Sequence, residues 1–196
     1  MMRKWMVLAA LVGGALGVTT AQAAVLNYIA TLSGAAENPP NASAGTGFAS
    51  VDWDTVARTM HLIVDFSGLT GTVTAAHIHC CVAPPGNVGV ATRTPTFLDF
   101  PSGVTAGSYD HTYDMTDPGS WNPGFITNNG GTVGSAEAAL FAGLAQGRSY
   151  FNIHTTFRPG GEIRGFLQVP EPSGFLLAGL ALAALTLSSR KRAASR

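Results

Sequence analysis

Lysine is missing from the whole stretch between Ala24 and Val169, which holds five arginines against ten aspartates and glutamates. So acidic a body offers no basic stripe to a phosphate backbone, and nucleic acid is not expected as a partner. Cysteine is nearly absent too: the chain has 2, the neighbours Cys80 and Cys81. Adjacent cysteines cannot staple distant segments, which leaves a vicinal disulfide, a bond between chains, or free thiols. Long helical patterns are nearly missing, while Gly (24) and Pro (11) are plentiful, a composition that suits turn-linked strands. No Ser-His-Asp or Cys-His arrangement with nucleophile context is visible. Neither is a phosphate-cradling glycine loop or a dinucleotide fingerprint, so the common hydrolase and nucleotide-dependent classes are not indicated.

What is present starts at the two ends. Arg3 and Lys4 precede an apolar stretch from Trp5 to Val18, and Ala21-Gln22-Ala23 fits a small-residue cleavage site. Residues 1–23 are therefore expected to be a secretory signal peptide. At the other end Pro170-Glu171-Pro172 precedes an uncharged run, and Arg190-Lys191-Arg192 follows it. From Ser173 to Ser189 the run has roughly 17 residues, a little short of the about 20 that a full crossing needs. It is expected to be a transmembrane helix whose basic end stays in the cytoplasm, leaving the body outside the inner membrane. Polar motif, apolar helix and basic stop closely resemble the PEP-CTERM sorting signal. That resemblance implies an exosortase-type sorting enzyme as partner, a tether in the inner membrane, and delivery to the cell surface or extracellular matrix.

Between the ends lie about 146 residues, enough for one domain with a real core. Strand patterns run over Val25–Leu32, Gly47–Trp53, Thr59–Phe66, Thr74–His79, Ser108–Met115, Ser149–Thr155 and Glu162–Val169. Ser135–Gln146 is the one short helix the pattern supports, capped by Ser135 and stopped by Gly147. Asp117–Gly131 is expected to be surface loop. Many short strands with Gly/Pro turns argue for a sandwich or a partly closed barrel.

His77 and His79 are two apart on a strand, so both rings share one face. If the strand carrying His154 is a neighbour, three imidazoles converge, a ligand set suited to copper, zinc, nickel or iron. The plainer expectation is that these histidines simply hydrogen-bond to backbone carbonyls or to Asp and Asn neighbours. Cys80 and Cys81 adjoin the pair: reduced, they offer a thiolate; oxidised, they stiffen the loop. His61 beside Asp65 and His111 beside Tyr109 and Tyr113 are expected to be surface or structural. Glu162 and Arg164 share a strand face and are expected to form an in-sheet ion pair. Asn38 and Asn152 are expected to satisfy backbone groups at turns. Asp110, Asp114 and Asp117 lack a calcium-loop spacing and are expected to be solubilising surface. Trp53, Trp121 and Phe125 offer a glycan-stacking surface if they are exposed.

Ala76-His77-Ile78-His79, Tyr150-Phe151-Asn152-Ile153-His154-Thr155 and Pro159-Gly160-Gly161-Glu162-Ile163-Arg164-Gly165 together resemble the CHRD domain, named after chordin, from Leu26 to Leu167. The resemblance implies an all-β, immunoglobulin-like sandwich that acts outside the cytoplasm as a non-catalytic binding or matrix module. Its partners would be an envelope protein or an extracellular polysaccharide. Cys80-Cys81 stands where many relatives have Gly-Pro. His-x-His also faintly resembles the copper-zinc superoxide dismutases, but the fuller ligand set and the sequence-distant disulfide of that family are missing. Copper or zinc held by His77, His79 and His154 is the alternative role, and a dismutase-like enzyme a more distant one.

Overall fold

The computed structural model describes residues 25–170, so the expected signal peptide (1–23), most of the sorting tail, and Glu171 and Pro172 of its motif lie outside the described residues. Among the described residues no helix is long and apolar enough to cross a membrane. The strands are β1 (Val25–Ser33), β2 (Thr46–Asp54), β3 (Thr59–Ser67), β4 (Val73–Cys80), β5 (Gly107–Asp114), β6 (Ser149–Thr155) and β7 (Ile163–Phe166). All pair antiparallel in one sheet, in the order β4-β6-β7-β1-β2-β3-β5.

Of the sandwich or partly closed barrel that the strand pattern predicts, the described residues form a single seven-stranded sheet that curls into a half-barrel, with no separate second sheet among them. The curl shows in the core aromatics. Phe97, fully buried in the connection after β4, stacks on Phe151 of β6 at 6.0 Å and lies 5.3 Å from Tyr113 of β5. It touches strands from opposite ends of the sheet order. One sheet can bury its apolar side only by folding round on itself or under a cover, and here it does both.

Alternation builds the inner face. Tyr28, Ala30 and Leu32 of β1, Ala49, Val51 and Trp53 of β2, and Met60, Leu62, Val64 and Phe66 of β3 are buried, with less buried, mostly polar residues between them. The β2–β3 hairpin turns where the side chain of Asp54 accepts from the amides of Val56 and Ala57, each at 2.8 Å, an Asx turn of the expected kind.

Among the described residues two α-helices form rather than one. α1 (Pro123–Asn128) lies in the segment expected to be surface loop, and α2 (Val133–Ala145) starts two residues earlier than the pattern predicts. Asn122 caps α1, with Pro123 at the first helical position, where a missing N–H costs nothing. Thr132, not Ser135, is the α2 cap; Ser135 instead completes a reciprocal capping box with it. Trp53, Trp121 and Phe125 are buried, at 1%, 2% and 7% exposure, so they form core and no glycan-stacking surface.

α2 seats its apolar face, Ala136, Leu140 and Leu144, against the sheet. Gly143 faces the sulfurs of Cys80 and Cys81, which are joined as a vicinal disulfide. A Cβ on Gly143 would collide with both sulfurs and with Oγ of Ser149. Gly143→Ala is therefore expected to lower stability by about 1–3 kcal/mol despite the better helix propensity of alanine. Thermal unfolding measures it, and an unchanged or raised Tm would contradict this packing.

Candidate metal centre

β4 and β6 are paired with Ala75 opposite His154, His77 opposite Asn152, and His79 opposite Tyr150. Strand alternation therefore puts His77, His79, Tyr150, Asn152 and His154 on one face, with Arg164 and Phe166 of β7 beside them. The other face of the same strands carries Ala76, Ile78, Phe151 and Ile153 into the core. Loops cover the polar face, so most of its side chains are buried too.

Those loops cannot pair as strands. The outer edge of β4 is met by the segment from Pro84 to Phe97, which contains Pro84, Pro85 and Pro95. Proline has no N–H and interrupts a ladder, so only isolated contacts form, such as the His79–Val90 bridge and the Ala91 amide to the Ile78 carbonyl at 2.9 Å. Carbonyls left out of a ladder turn back to the histidines. His77 Nε2 donates to the Pro95 carbonyl at 2.6 Å and His79 Nδ1 to the Val88 carbonyl at 2.8 Å. From the β6–β7 turn the Pro159 carbonyl receives His154 Nδ1 at 2.9 Å.

A carbonyl can only accept, so each of these ring nitrogens carries the proton and its tautomer is settled. The remaining nitrogens, His77 Nδ1, His79 Nε2 and His154 Nε2, carry lone pairs. All three are shielded from solvent and have no hydrogen-bond partner. They converge: the ligand atoms lie within 4.8 Å of one another, and the ring centroids are 5.9, 5.2 and 5.7 Å apart. A bound ion at about 2.0–2.1 Å from each nitrogen requires only that the rings draw inward.

Burial holds His77 and His79 down to about 4, and lowers His154 as well. The carbonyl bonds oppose the shift, and the neighbouring imidazoles add to it for His77 and His79. All three rings are neutral near pH 7, the state a metal ligand needs. Tyr150 stacks on His79 with centroids 4.7 Å apart and planes 6° from parallel, and its hydroxyl donates to the same Val88 carbonyl at 3.2 Å. Arg164 caps the stack, its guanidinium 4.7 Å from the Tyr150 centroid.

The expected Glu162–Arg164 ion pair does not form. Glu162 is fully buried and accepts from Ser43 Oγ at 2.5 Å, Thr155 Oγ1 at 2.6 Å, and the amides of Thr70 and Gly71 at 2.6 and 3.0 Å. Burial pushes its carboxyl up, but these four donors outweigh it and hold it below the usual range. Arg164 reaches the other way. It donates to the carbonyls of Ala36, Pro85 and Gly86 and to Asn87 Oδ1, and lies 3.7 Å from the Glu37 carboxylate. Glu37 is pushed up to about 7 by burial, partly offset by Arg164 and by the Asn38 amide.

Asn38 presents its carbonyl to Asn87 Nδ2 at 2.6 Å, whereas Asn152 satisfies no turn: its Oδ1 is buried without a partner, like Oε1 of Glu37. His61 pairs across strands with Asp110 at 2.7 Å rather than with Asp65, and His111 packs between Tyr109 and Tyr113. Asp114 and Asp117 cap the turns at Thr116 and Gly119, so the acidic residues serve separate local purposes.

These shifts have a sign. A histidine depressed in the fold binds fewer protons there than in the unfolded chain, so it withdraws stability as pH falls from 6.5 toward 4. Glu37, raised in the fold, acts oppositely between 4.5 and 7. His77 and His79 outnumber it, so the metal-free protein is expected to lose several kcal/mol between pH 6.5 and 4. Urea unfolding at stepped pH tests this; stability flat or rising on acidification would contradict the buried neutral rings.

Sequence comparison agrees with the arrangement of motifs. The profile described as the CHRD domain matches residues 28–167, and the PEP-CTERM protein-sorting motif matches residues 168–192. No curated protein and no solved structure matches the chain.

Proposed function

The chain belongs to the CHRD domain family, and from that premise we propose that its body is a non-catalytic module holding one transition-metal ion on His77, His79 and His154. The sorting motif marks it as an exported protein processed by exosortase-type machinery. The body works on the far side of the inner membrane, tethered there first and then delivered to the surface or matrix.

One observation carries the metal assignment: three buried lone pairs, each on a ring whose other nitrogen is fixed by a carbonyl, point at one another with nothing to accept. Hydrogen-bonded structural histidines would leave three unsatisfied buried acceptors, each costing about 1–3 kcal/mol. A single ion satisfies all three. The carbonyls are the outer partners that orient metal-binding imidazoles. Neutral nitrogen donors suit copper and zinc, and the general affinity order puts divalent copper above zinc. Shielding of the lone pairs from solvent supports retention of the ion over turnover at an open position.

The test is elemental analysis of the full chain, exported in a host and purified without a polyhistidine tag, before and after exposure to copper and zinc. About one equivalent is expected, with copper displacing zinc. Folded protein that retains neither metal would overturn the proposal and favour a module that binds envelope protein or polysaccharide.

A further inference from the structure

The disulfide is placed as a reactive group rather than as a staple. Cys80 and Cys81 are adjacent, so their bond closes no loop between distant segments. They line a surface pocket of about 360 Å³ together with Val88, Gly89, Asn122 and Phe125. The two sulfurs differ in access. Cys81 is half-buried, whereas Cys80 is 3% exposed and sits under α2. Around the buried sulfur the protein keeps polar groups that a disulfide does not use. Ser149 is the direct cross-strand partner of Cys80, and its buried Oγ has no hydrogen-bond partner. The Ala139 carbonyl lies 3.8 Å from Sγ of Cys80 and 3.5 Å from Sγ of Cys81. The missing side chain of Gly143 leaves the space in which both sulfurs and Ser149 Oγ meet.

We propose that Cys80–Cys81 is a thiol–disulfide exchange site for a small thiol. A thiolate entering from the pocket attacks Sγ of Cys81 and forms a mixed disulfide there, while the electron pair of the broken bond passes to Sγ of Cys80. The Cys80 thiolate accepts a hydrogen bond from the idle Ser149 hydroxyl and then takes a proton from water. A second thiolate attacks the thiol-derived sulfur of the mixed disulfide, releasing the oxidised disulfide of the small thiol and the Cys81 thiolate, which is protonated in turn. Two thiols are oxidised and one protein disulfide is reduced. In the dithiol state the Ala139 carbonyl and Ser149 Oγ serve as acceptors for the S–H groups. The assignment does not depend on the metal centre.

Reduced glutathione is the probe. The oxidised full chain is incubated with it in the absence of denaturant, quenched with acid at intervals, alkylated and mapped by peptide mass spectrometry. The glutathione adduct is expected on Cys81, with a rate that rises linearly with thiolate concentration. Ser149→Ala is expected to slow the reaction about tenfold, since hydrogen bonds to charged groups are the stronger kind, while Tm does not fall, because the buried hydroxyl has no partner to lose. An adduct on Cys80, a rate that saturates at the rate of global unfolding, or no reaction of folded protein would overturn the assignment. The wild-type mapping decides between Cys80 and Cys81 even if the serine variant fails to fold.

Discussion

His77→Gln, His79→Asn and His154→Asn are each expected to weaken metal binding by more than about 100-fold, since loss of mere outer-shell partners already costs about 10- to 100-fold. The choice of substitute matters. His77 donates through Nε2, which a glutamine amide reaches; His79 and His154 donate through Nδ1, which an asparagine amide reaches. Each variant can keep its bond to the Pro95, Val88 or Pro159 carbonyl and lose only the imidazole lone pair. A second readout separates binding from folding. At about 1,000-fold excess over Kd a ligand stabilises the native state by about 4 kcal/mol, so metal should raise the Tm of the wild type and leave these variants unmoved. Wild-type affinity in all three variants, with fold intact by circular dichroism, would sink the three-histidine centre.

Arg164→Ala is expected to cost about 3–5 kcal/mol, as does removal of one partner from a buried charged network, and to lower Tm by roughly 10 °C or more. Arg164 is fully buried and ties β7 to two proline-rich loops through Ala36, Pro85, Gly86 and Asn87. Its loss strands those acceptors and leaves Glu37 buried without its cation. Lysine is not expected to rescue it, because one ammonium cannot reproduce a planar fork that serves four acceptors. Glu37→Gln should be milder, within about 1 kcal/mol, because burial already pushes that carboxyl up to about 7 and leaves much of it neutral. Metal affinity should fall with Arg164→Ala as well. The loop it holds leads into Val88, whose carbonyl orients His79, and its guanidinium covers the Tyr150 ring stacked on that histidine. Chemical denaturation and metal titration of the same variant test both effects; a stability loss under about 1 kcal/mol would contradict the cage.

Much of the site was legible because strand periodicity is local. His77-Ile78-His79 puts two rings on one face whatever the fold, and the apolar alternation of Met60, Leu62, Val64 and Phe66 marks a core face without any partner being known. The end motifs are likewise linear, and the CHRD and sorting-motif matches fall on the same segments. The cap of α2 was missed because Thr132 and Ser135 are both good capping residues, and only backbone geometry shows which one stands outside the helix. Glu162 and Arg164 were paired wrongly for a related reason. Shared parity brings side chains to one face, but the donors of Ser43, Thr70 and Gly71 and the carbonyls of Ala36 and Pro85 lie more than 75 residues away in sequence.

The residues by themselves determined an exported chain, a strand-rich body, a polar histidine face and a pair of cysteines with no distant partner. Tertiary structure alone decided that β6 lies beside β4, that one sheet curls on itself instead of splitting in two, and that three carbonyls fix which nitrogen of each imidazole stays free. The physical reason is range. Alternation, caps and turns act over a few residues, whereas the convergence of three lone pairs depends on register between strands whose paired residues are 69 to 82 positions apart and on proline-broken loops that have no period to read.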